Sequence, residues 1–256
     1  MKNNNFKIQF KEVIKLSTLP LILIIISQLG HINLVRQTIL ESKSQTFEIV
    51  AGNPLSLYLF PLVCSVTISI ILQTKKRNNS MVYEYFRCGK KTYFKDLFLS
   101  VSLLNLGIII VGNIIAFIIS YIIFAARPDL VQLHVTDKVT MLRYIRTSSV
   151  LTLIFYILQQ WFVSLIILGF SFVVNLATSN LFLGFFASTI YLLITEATYL
   201  IIDINLLDLS LAPTYLPGIK MQPFPENIFQ LEFGLIPLLI VTVLIYFFNK
   251  KKIEEV

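Results

Sequence analysis

The chain has 256 residues, of which 56% are hydrophobic and only 14% are charged. Its mean hydropathy of +0.78 suits one membrane domain and leaves no room for a sizeable soluble domain beside it. The net charge of +7 would suit nucleic acid, but the basic residues lie next to apolar segments, which excludes nucleic acid as a partner.

Long uncharged stretches predict membrane-spanning helices. Residues 97–124, 150–174 and 229–248 hold one charged residue between them, Glu232. A helix of about 18 or more apolar residues crosses the ~30 Å hydrocarbon core, and these stretches are apolar on all faces. We therefore predict an all-α polytopic membrane protein with one transmembrane domain, residues 1–256. The six spans are predicted at about 16–35, 54–73, 97–124, 150–174, 181–203 and 229–248.

Residues 1–15 are predicted to form an amphipathic helix in the membrane interface. The apolar residues at helical spacing are Phe6, Phe10, Val13 and Ile14, and the cationic stripe beside them is Lys7, Lys11 and Lys15. The alternative is a tail whose charge only sets the orientation of the first span. Because no small-residue cleavage site follows Leu19–Ile26, the first span is expected to be retained and not removed as a signal peptide.

The segment Thr74–Asp96 carries the most specific local pattern. Ser80 is expected to begin a short helix over Met81–Cys88, Gly89 to end it in the left-handed conformation, and Thr92 to cap the next helix. The aromatics expected to be exposed are Tyr83, Tyr85, Phe86 and Tyr93. Two interpretations stay open: a rigid elbow that receives a push from a soluble partner, and a positive-inside loop whose aromatics sit at the membrane interface.

The distribution of Lys and Arg predicts that both termini are cytoplasmic. In that orientation 14 basic residues lie inside and 7 lie outside, and basic residues are favoured in cytoplasmic loops. The 175–180 turn is very short, so spans four and five should be antiparallel neighbours. The proline-rich stretch 204–228 could be re-entrant, protected by surrounding protein.

Three polar residues within predicted spans are candidates for a translocation path: Gln159, Gln160 and Glu196. A carboxylate near mid-membrane costs about 2.5–3.5 kcal/mol on insertion scales, so Glu196 should face protein or water. The alternative is that these groups, with Asn105 and Asn113, make hydrogen bonds between helices.

Residues Tyr85–Lys95 resemble the segment after the second span in type-two exporter permeases of the ATP-binding cassette (ABC) superfamily. The shared features are an Arg, then a Gly, basic residues, an aromatic and a Lys entering span three. The interfacial helix, the six spans and the outer re-entrant stretch also resemble that family. The resemblance implies an ATPase-coupling role for Tyr85, Phe86, Arg87, Gly89, Lys90, Lys91, Tyr93 and Lys95.

The resemblance further implies a permease in a bacterial cell membrane, forming a homodimer or a heterodimer with a similar permease. The expected cargo is an amphipathic peptide, such as an antimicrobial peptide, or a lipid-like molecule. No G-x-x-x-x-G-K-[ST] motif occurs, so ATP and Mg are expected on separate cytoplasmic ABC ATPase subunits. The chain itself is expected to hold no cofactor and no metal.

The sequence leaves two other classes of function. One is a non-transporting membrane immunity or regulatory protein that binds a peptide toxin and needs no ATPase. The other is an intramembrane enzyme, which is disfavoured because neither H-E-x-x-H nor G-x-S-x-G occurs in the sequence. The chain is therefore expected to be non-catalytic.

Overall fold

The computed structural model of the chain describes residues 2–29, 54–125, 149–178, 180–202 and 235–250. Within these ranges the chain forms eight α-helices. They are α1 (Lys2–Lys15), α2 (Thr18–Leu29), α3 (Pro54–Arg77), α4 (Ser80–Cys88), α5 (Lys90–Ala125), α6 (Ser149–Ala177), α7 (Leu181–Ile202) and α8 (Leu235–Phe248).

Three of the described helices are long and apolar enough to cross a membrane, judged by length and composition. The qualifying stretches are Tyr58–Arg77 in α3, Lys90–Ile122 in α5 and Tyr156–Ala177 in α6. These match the predicted second, third and fourth spans and indicate a membrane protein. Shorter apolar stretches occupy α2, α7 and α8.

The helices extend beyond the predicted limits of the apolar spans. α3 continues to Arg77, four residues past the predicted end at 73, and α5 begins at Lys90, seven residues before the predicted start at 97. The reason is that lysine and arginine are good helix formers, so the helix continues where the apolar composition stops. Residues 30–35, 204–228 and 229–234, which belong to the first span, the proline-rich stretch and the sixth span, lie outside the described residues.

The six apolar helices alternate in direction, and one end of the bundle collects α1, α4, the start of α5 and the α6–α7 turn; we call it the basic end. Lys75 of α3 pairs with Glu12 of α1, while Lys76 binds carbonyls in the α6–α7 turn. In α8, Leu238 packs in the central core and Ile245 also reaches the cluster at the basic end, so Lys250 lies there too. Every Lys and Arg in the described helices therefore belongs to this end.

Clusters of buried apolar side chains hold the described helices together, and a small one joins α2, α3 and α5 around Ile24, Val63 and Ile108. The central one joins α3, α5, α6, α7 and α8 around Cys64, Ile109 and Ile167. The one at the basic end joins α1, α3, α4, α5 and α6 around Tyr93 and Leu97. Between membrane-spanning helices such clusters stabilise through van der Waals packing and not through removal of the side chains from water, and α4 joins the cluster at the basic end through Met81.

The N-terminal helix is present as predicted, and part of its apolar face contacts protein. Val13 is fully buried, and Gln9 Nε2 donates to the Tyr93 carbonyl at 3.5 Å. Phe6 and Phe10 stack on each other with ring centroids 5.7 Å apart. The three lysines of α1 (Lys7, Lys11 and Lys15) remain exposed on the opposite side. Val13 and Gln9 therefore dock α1 on the start of α5, whereas Ile14 of the predicted stripe is 46% exposed.

A buried amide connects α3, α6 and α7 near the basic end. Asn175 Nδ2 donates to Ser69 Oγ at 2.8 Å, and Asn175 Oδ1 accepts from Gln73 Nε2 at 3.0 Å. The amide lies directly against Gly184, whose Cα leaves room for it. In apolar surroundings a buried amide is tolerated only with partners of this kind.

We predict that Gly184→Ala destabilises the bundle by about 1–3 kcal/mol, the usual cost of overpacking. An added Cβ would lie 2.6 Å from Cγ of Asn175, so the amide would have to leave its partners. Gly169→Ala is the matched control, because a Cβ there has nothing within 4 Å. Thermal unfolding of detergent-solubilised protein measures the difference, and equal stability of the two variants would contradict the prediction.

Candidate functional site at the basic end

The short helix α4 is set by two residues with positive φ. Asn79 has φ 52° just before α4, and Gly89 has φ 82° and ψ 139° just after it. The Gly89 N–H donates to the Tyr85 carbonyl at 2.9 Å and so closes the last turn. This φ/ψ pair lies near the region that only glycine populates, outside the left-handed helical region that the sequence predicted.

The predicted cap of the next helix was wrong. α5 begins at Lys90, directly after Gly89, and Thr92 lies inside its first turn. The Gly89 carbonyl already accepts from the Tyr93 N–H at 3.0 Å, so the helical hydrogen bonds of α5 start at Gly89. The turn between α4 and α5 is therefore a single residue.

α4 presents an aromatic ridge to the outside. Phe86 is 86% exposed and Tyr83 is 76% exposed, with Val82 beside them. Met81 on the opposite face is buried in the cluster at the basic end. These exposed side chains form one ridge, Val82–Tyr83–Phe86, which is a candidate contact surface for a partner or for the membrane interface.

Two of the aromatics expected to be exposed are not. Tyr93 is fully buried, and Tyr85 is half-buried against it with ring centroids 5.4 Å apart at a steep angle. Phe94 packs on both rings and on Phe172 of α6. Burial raises the pKa of the Tyr85 hydroxyl. These rings hold α4 against α5 and α6, because edge-to-face aromatic pairs prefer this geometry.

Lys75 ties α4 to α1 by charge. Its ammonium lies 2.9 Å from Glu12 Oε2 of α1, 3.7 Å from Glu84 Oε1 of α4 and 5.3 Å from the centre of the Tyr93 ring. The Lys75 side chain is only 12% exposed, so these pairs are less screened than surface pairs. Removing its charge would leave Glu12 and Glu84 without this cation.

Basic side chains surround the ridge. Arg87 is half-exposed and lies 3.7 Å from Glu84, while Lys91 and Lys95 are exposed. Lys90 is partly buried, with its ammonium 5.8 Å from the centre of the Tyr85 ring. An apolar ridge with a cationic rim is complementary to a groove with apolar walls and acidic edges.

The predicted path residues lie away from this surface. Gln160 is buried in α6, where its Oε1 accepts from Asn113 Nδ2 of α5 at 2.6 Å. Gln159 is partly buried next to it. Glu196 belongs to α7, but its side chain lies outside the described residues. Gln160 thus joins two helices, and the path itself stays a prediction.

Sequence reasoning missed Val82 and the partners of Lys75. Tyr83 was correctly expected to be exposed but was given no coupling role, although a helix beginning at Ser80 puts Tyr83 and Phe86 three residues apart on one face. Lys75 was counted only as a topology charge. Nothing in the local pattern distinguishes it from Lys76 or Arg77, because its partners come from α1 and α4.

We predict that Gly89→Ala strains the α4–α5 junction by about 1–3 kcal/mol, since a side chain disfavours this backbone conformation. The space around Gly89 is open, so the effect comes from the backbone alone. Trypsin should cleave faster between Arg87 and Lys91 in this variant. Gly107→Ala, in open space inside α5, is the control, and unchanged cleavage in Gly89→Ala would contradict the prediction.

Comparisons with family models, with characterised proteins and with solved structures found no match to this chain.

Proposed function

We propose that this chain is the membrane-spanning permease subunit of an ABC exporter, driven by ATP hydrolysis on separate ATPase subunits. The observation that carries the proposal is the exposed ridge Val82–Tyr83–Phe86 on a helix joined rigidly to two long apolar helices. α4 is separated from α3 by two residues and from α5 by one. A force applied to the ridge would therefore reach both long helices with little loss in the connections.

The contacts behind α4 support the same role. Met81, Tyr85 and Tyr93 pack α4 on the bundle, and Glu84 pairs with Lys75. A segment that served only to set topology would need charge but not a packed inner face. The cationic rim of Arg87, Lys90 and Lys91 would pair with acidic groups on the ATPase.

The proposed topology has six spans with both termini in the cytoplasm of a bacterium. It is supported by the alternating directions of the apolar helices and by the collection of basic residues at one end. Placing that end in the cytoplasm satisfies the preference of Lys and Arg for the inner side. α1, α4 and the α6–α7 turn would then all face the cytoplasm.

The active unit would be a dimer of permeases, of this chain with itself or with a similar chain, bound to two ATPases that hold ATP and Mg. The cargo would be an amphipathic peptide or a lipid-like molecule moved out of the cell. The many exposed apolar side chains on the outer faces of α5 and α8 suit contact with lipid or with a second permease.

The orientation predicts where a cysteine at position 90 can be labelled. In a Cys64→Ala/Cys88→Ser background, Lys90→Cys should react with a membrane-impermeant maleimide only after the cells are opened, because the basic end is cytoplasmic. A reporter protein with a cysteine exposed on the outer face of the membrane is the control, because it should be labelled in intact cells. Labelling of position 90 from outside would overturn the six-span topology.

The docking role predicts that Phe86→Ser reduces co-purification of the chain with the P-loop ATPase encoded nearest to its gene by about tenfold or more. Full burial of such a side chain is worth about 1.5–3 kcal/mol, which corresponds to this factor. Phe248→Ser is the matched control, since Phe248 is 85% exposed at the same end but belongs to α8.

Topology labelling and thermal unfolding of both variants separate docking from insertion and folding. Wild-type protein that binds no ATPase would refute the proposed function. Binding that is equal in Phe86→Ser, Phe248→Ser and wild type would show that α4 is not the docking helix.

A further inference from the structure

The turn between α6 and α7 is bound to the end of α3 by two side chains. Lys76 Nζ donates to the carbonyls of Asn175 at 2.9 Å, Leu176 at 2.8 Å and Thr178 at 3.2 Å. Gln73 Nε2 donates to the Thr178 carbonyl at 3.2 Å and to Asn175 Oδ1 at 3.0 Å. The end of α6 is thus capped by another helix.

This cap satisfies a specific need of the helix end. The last four carbonyls of a helix lack partners within it, and the helix C-terminus carries partial negative charge. A lysine ammonium supplies three donors and a positive charge, so one side chain meets both needs. Lys76 is partly buried, which strengthens these hydrogen bonds relative to exposed ones.

Lys76 also stands next to α4. The Asn79 N–H donates to the Lys76 carbonyl at 3.1 Å, and the Asn78 N–H donates to the Thr74 carbonyl at 3.0 Å. α4 begins at Ser80, four residues after Lys76. Lys76, which caps the end of α6, therefore belongs to the last turn of α3, and this turn leads directly into α4.

The first turns of α7 are fixed to the same assembly. Ser171 Oγ donates to the Gly184 carbonyl at 2.8 Å, and Ser65 Oγ donates to the Phe185 carbonyl at 2.9 Å. Asn180 Oδ1 accepts from the Phe182 N–H at 2.9 Å and caps the start of α7. A displacement of the turn would therefore carry α7 with it.

We infer that Lys76 is a positioning residue that makes the α6–α7 hairpin move together with α4. This inference rests on the proposed function for its consequence in transport, but its geometry belongs to the chain alone. The neighbouring Lys75 points to different partners, Glu12 and Glu84, and so ties α4 to α1. The two adjacent lysines connect α4 to two separate parts of the bundle.

The test compares Lys76→Met with Lys75→Met. Spin labels at Tyr83→Cys and Phe182→Cys, both exposed positions, report the distance between α4 and the start of α7 in the Cys64→Ala/Cys88→Ser background. In wild type the distance distribution should be narrow, and Lys75→Met, which removes only the charge pairs of α4 and α1, should broaden it less than Lys76→Met does. In Lys76→Met it should broaden, and Lys76→Arg, which keeps a cationic donor, should restore the narrow distribution.

The Lys76 and Lys75 variants without the spin-label substitutions, in the complex with the ATPase, test the consequence. Lys76→Met should lower the cargo moved per ATP by at least about fivefold, the lower end of typical coupling between sites, while ATPase co-purification stays at the wild-type level. A structural defect alone would lower binding as well. If Lys76→Met fails to insert, Gln73→Met takes its place with the same expected broadening.

An unchanged spin-label distance in Lys76→Met overturns the inference, and so does a broadening of equal size in Lys75→Met. Absence of any ATPase binding by wild type would refute the proposed function instead. In that case the distance measurement on the permease alone still decides whether Lys76 joins the hairpin to α4.

Discussion

The hydrogen bonds at the end of α6 are the constraint on which the basic end depends. Its terminal carbonyls accept hydrogen bonds from side chains of α3, and they need such donors because residues 175–177 are buried although the turn that follows is not. Once Lys76 and Gln73 meet these carbonyls, the register of α3 against α6 is set. Asn175 then reaches Ser69 and lies against Gly184, which brings α7 close. The surface that α4 presents is built on this arrangement.

Adjacent charges in one sequence run have separate structural roles. Lys75, Lys76 and Arg77 end the same helix, yet Lys75 pairs with carboxylates, Lys76 with carbonyls, and Arg77 is exposed. A helix rotates by about 100° per residue, so neighbouring side chains must point to different parts of the bundle. Net charge alone describes the topology preference of this run, whereas its contacts depend on which face each residue occupies.

The long apolar helices could be predicted because their cause is local. The absence of charge over more than 20 residues is visible in the sequence of α5 and α6 and needs no partner to interpret. The helix α4 could also be predicted, since Gly89 follows Cys88 at the point where the helix ends. Thr92 misled because capping residues are also tolerated in a first turn, and the backbone geometry of Gly89 had already started α5.

The faces of the basic end could not be predicted, because they depend on contacts distant in sequence. Tyr93 lies between Lys91 and Lys95 in the sequence, a pattern that predicts exposure. In the structure it is buried in one cluster with Val13 of α1 and Leu97. The polar partners of Gln160 and Asn175 likewise come from other helices, at separations of 47 and 106 residues. A single sequence contains the residues of such pairs but not their pairing.

The exposed and buried aromatics of the basic end differ in what they contribute. Tyr85, Tyr93 and Phe94 already have ring partners, so their apolar surface is used in holding α4 in place. The apolar surface of Phe86 and Tyr83, in contrast, is exposed. Because α4 is held at both ends and along its inner face, a partner that covers these rings would lose little entropy in ordering the helix. The free energy of burying them, about 1.5–3 kcal/mol for each large apolar side chain, would therefore be offset less by ordering of the helix than it would be in a flexible segment.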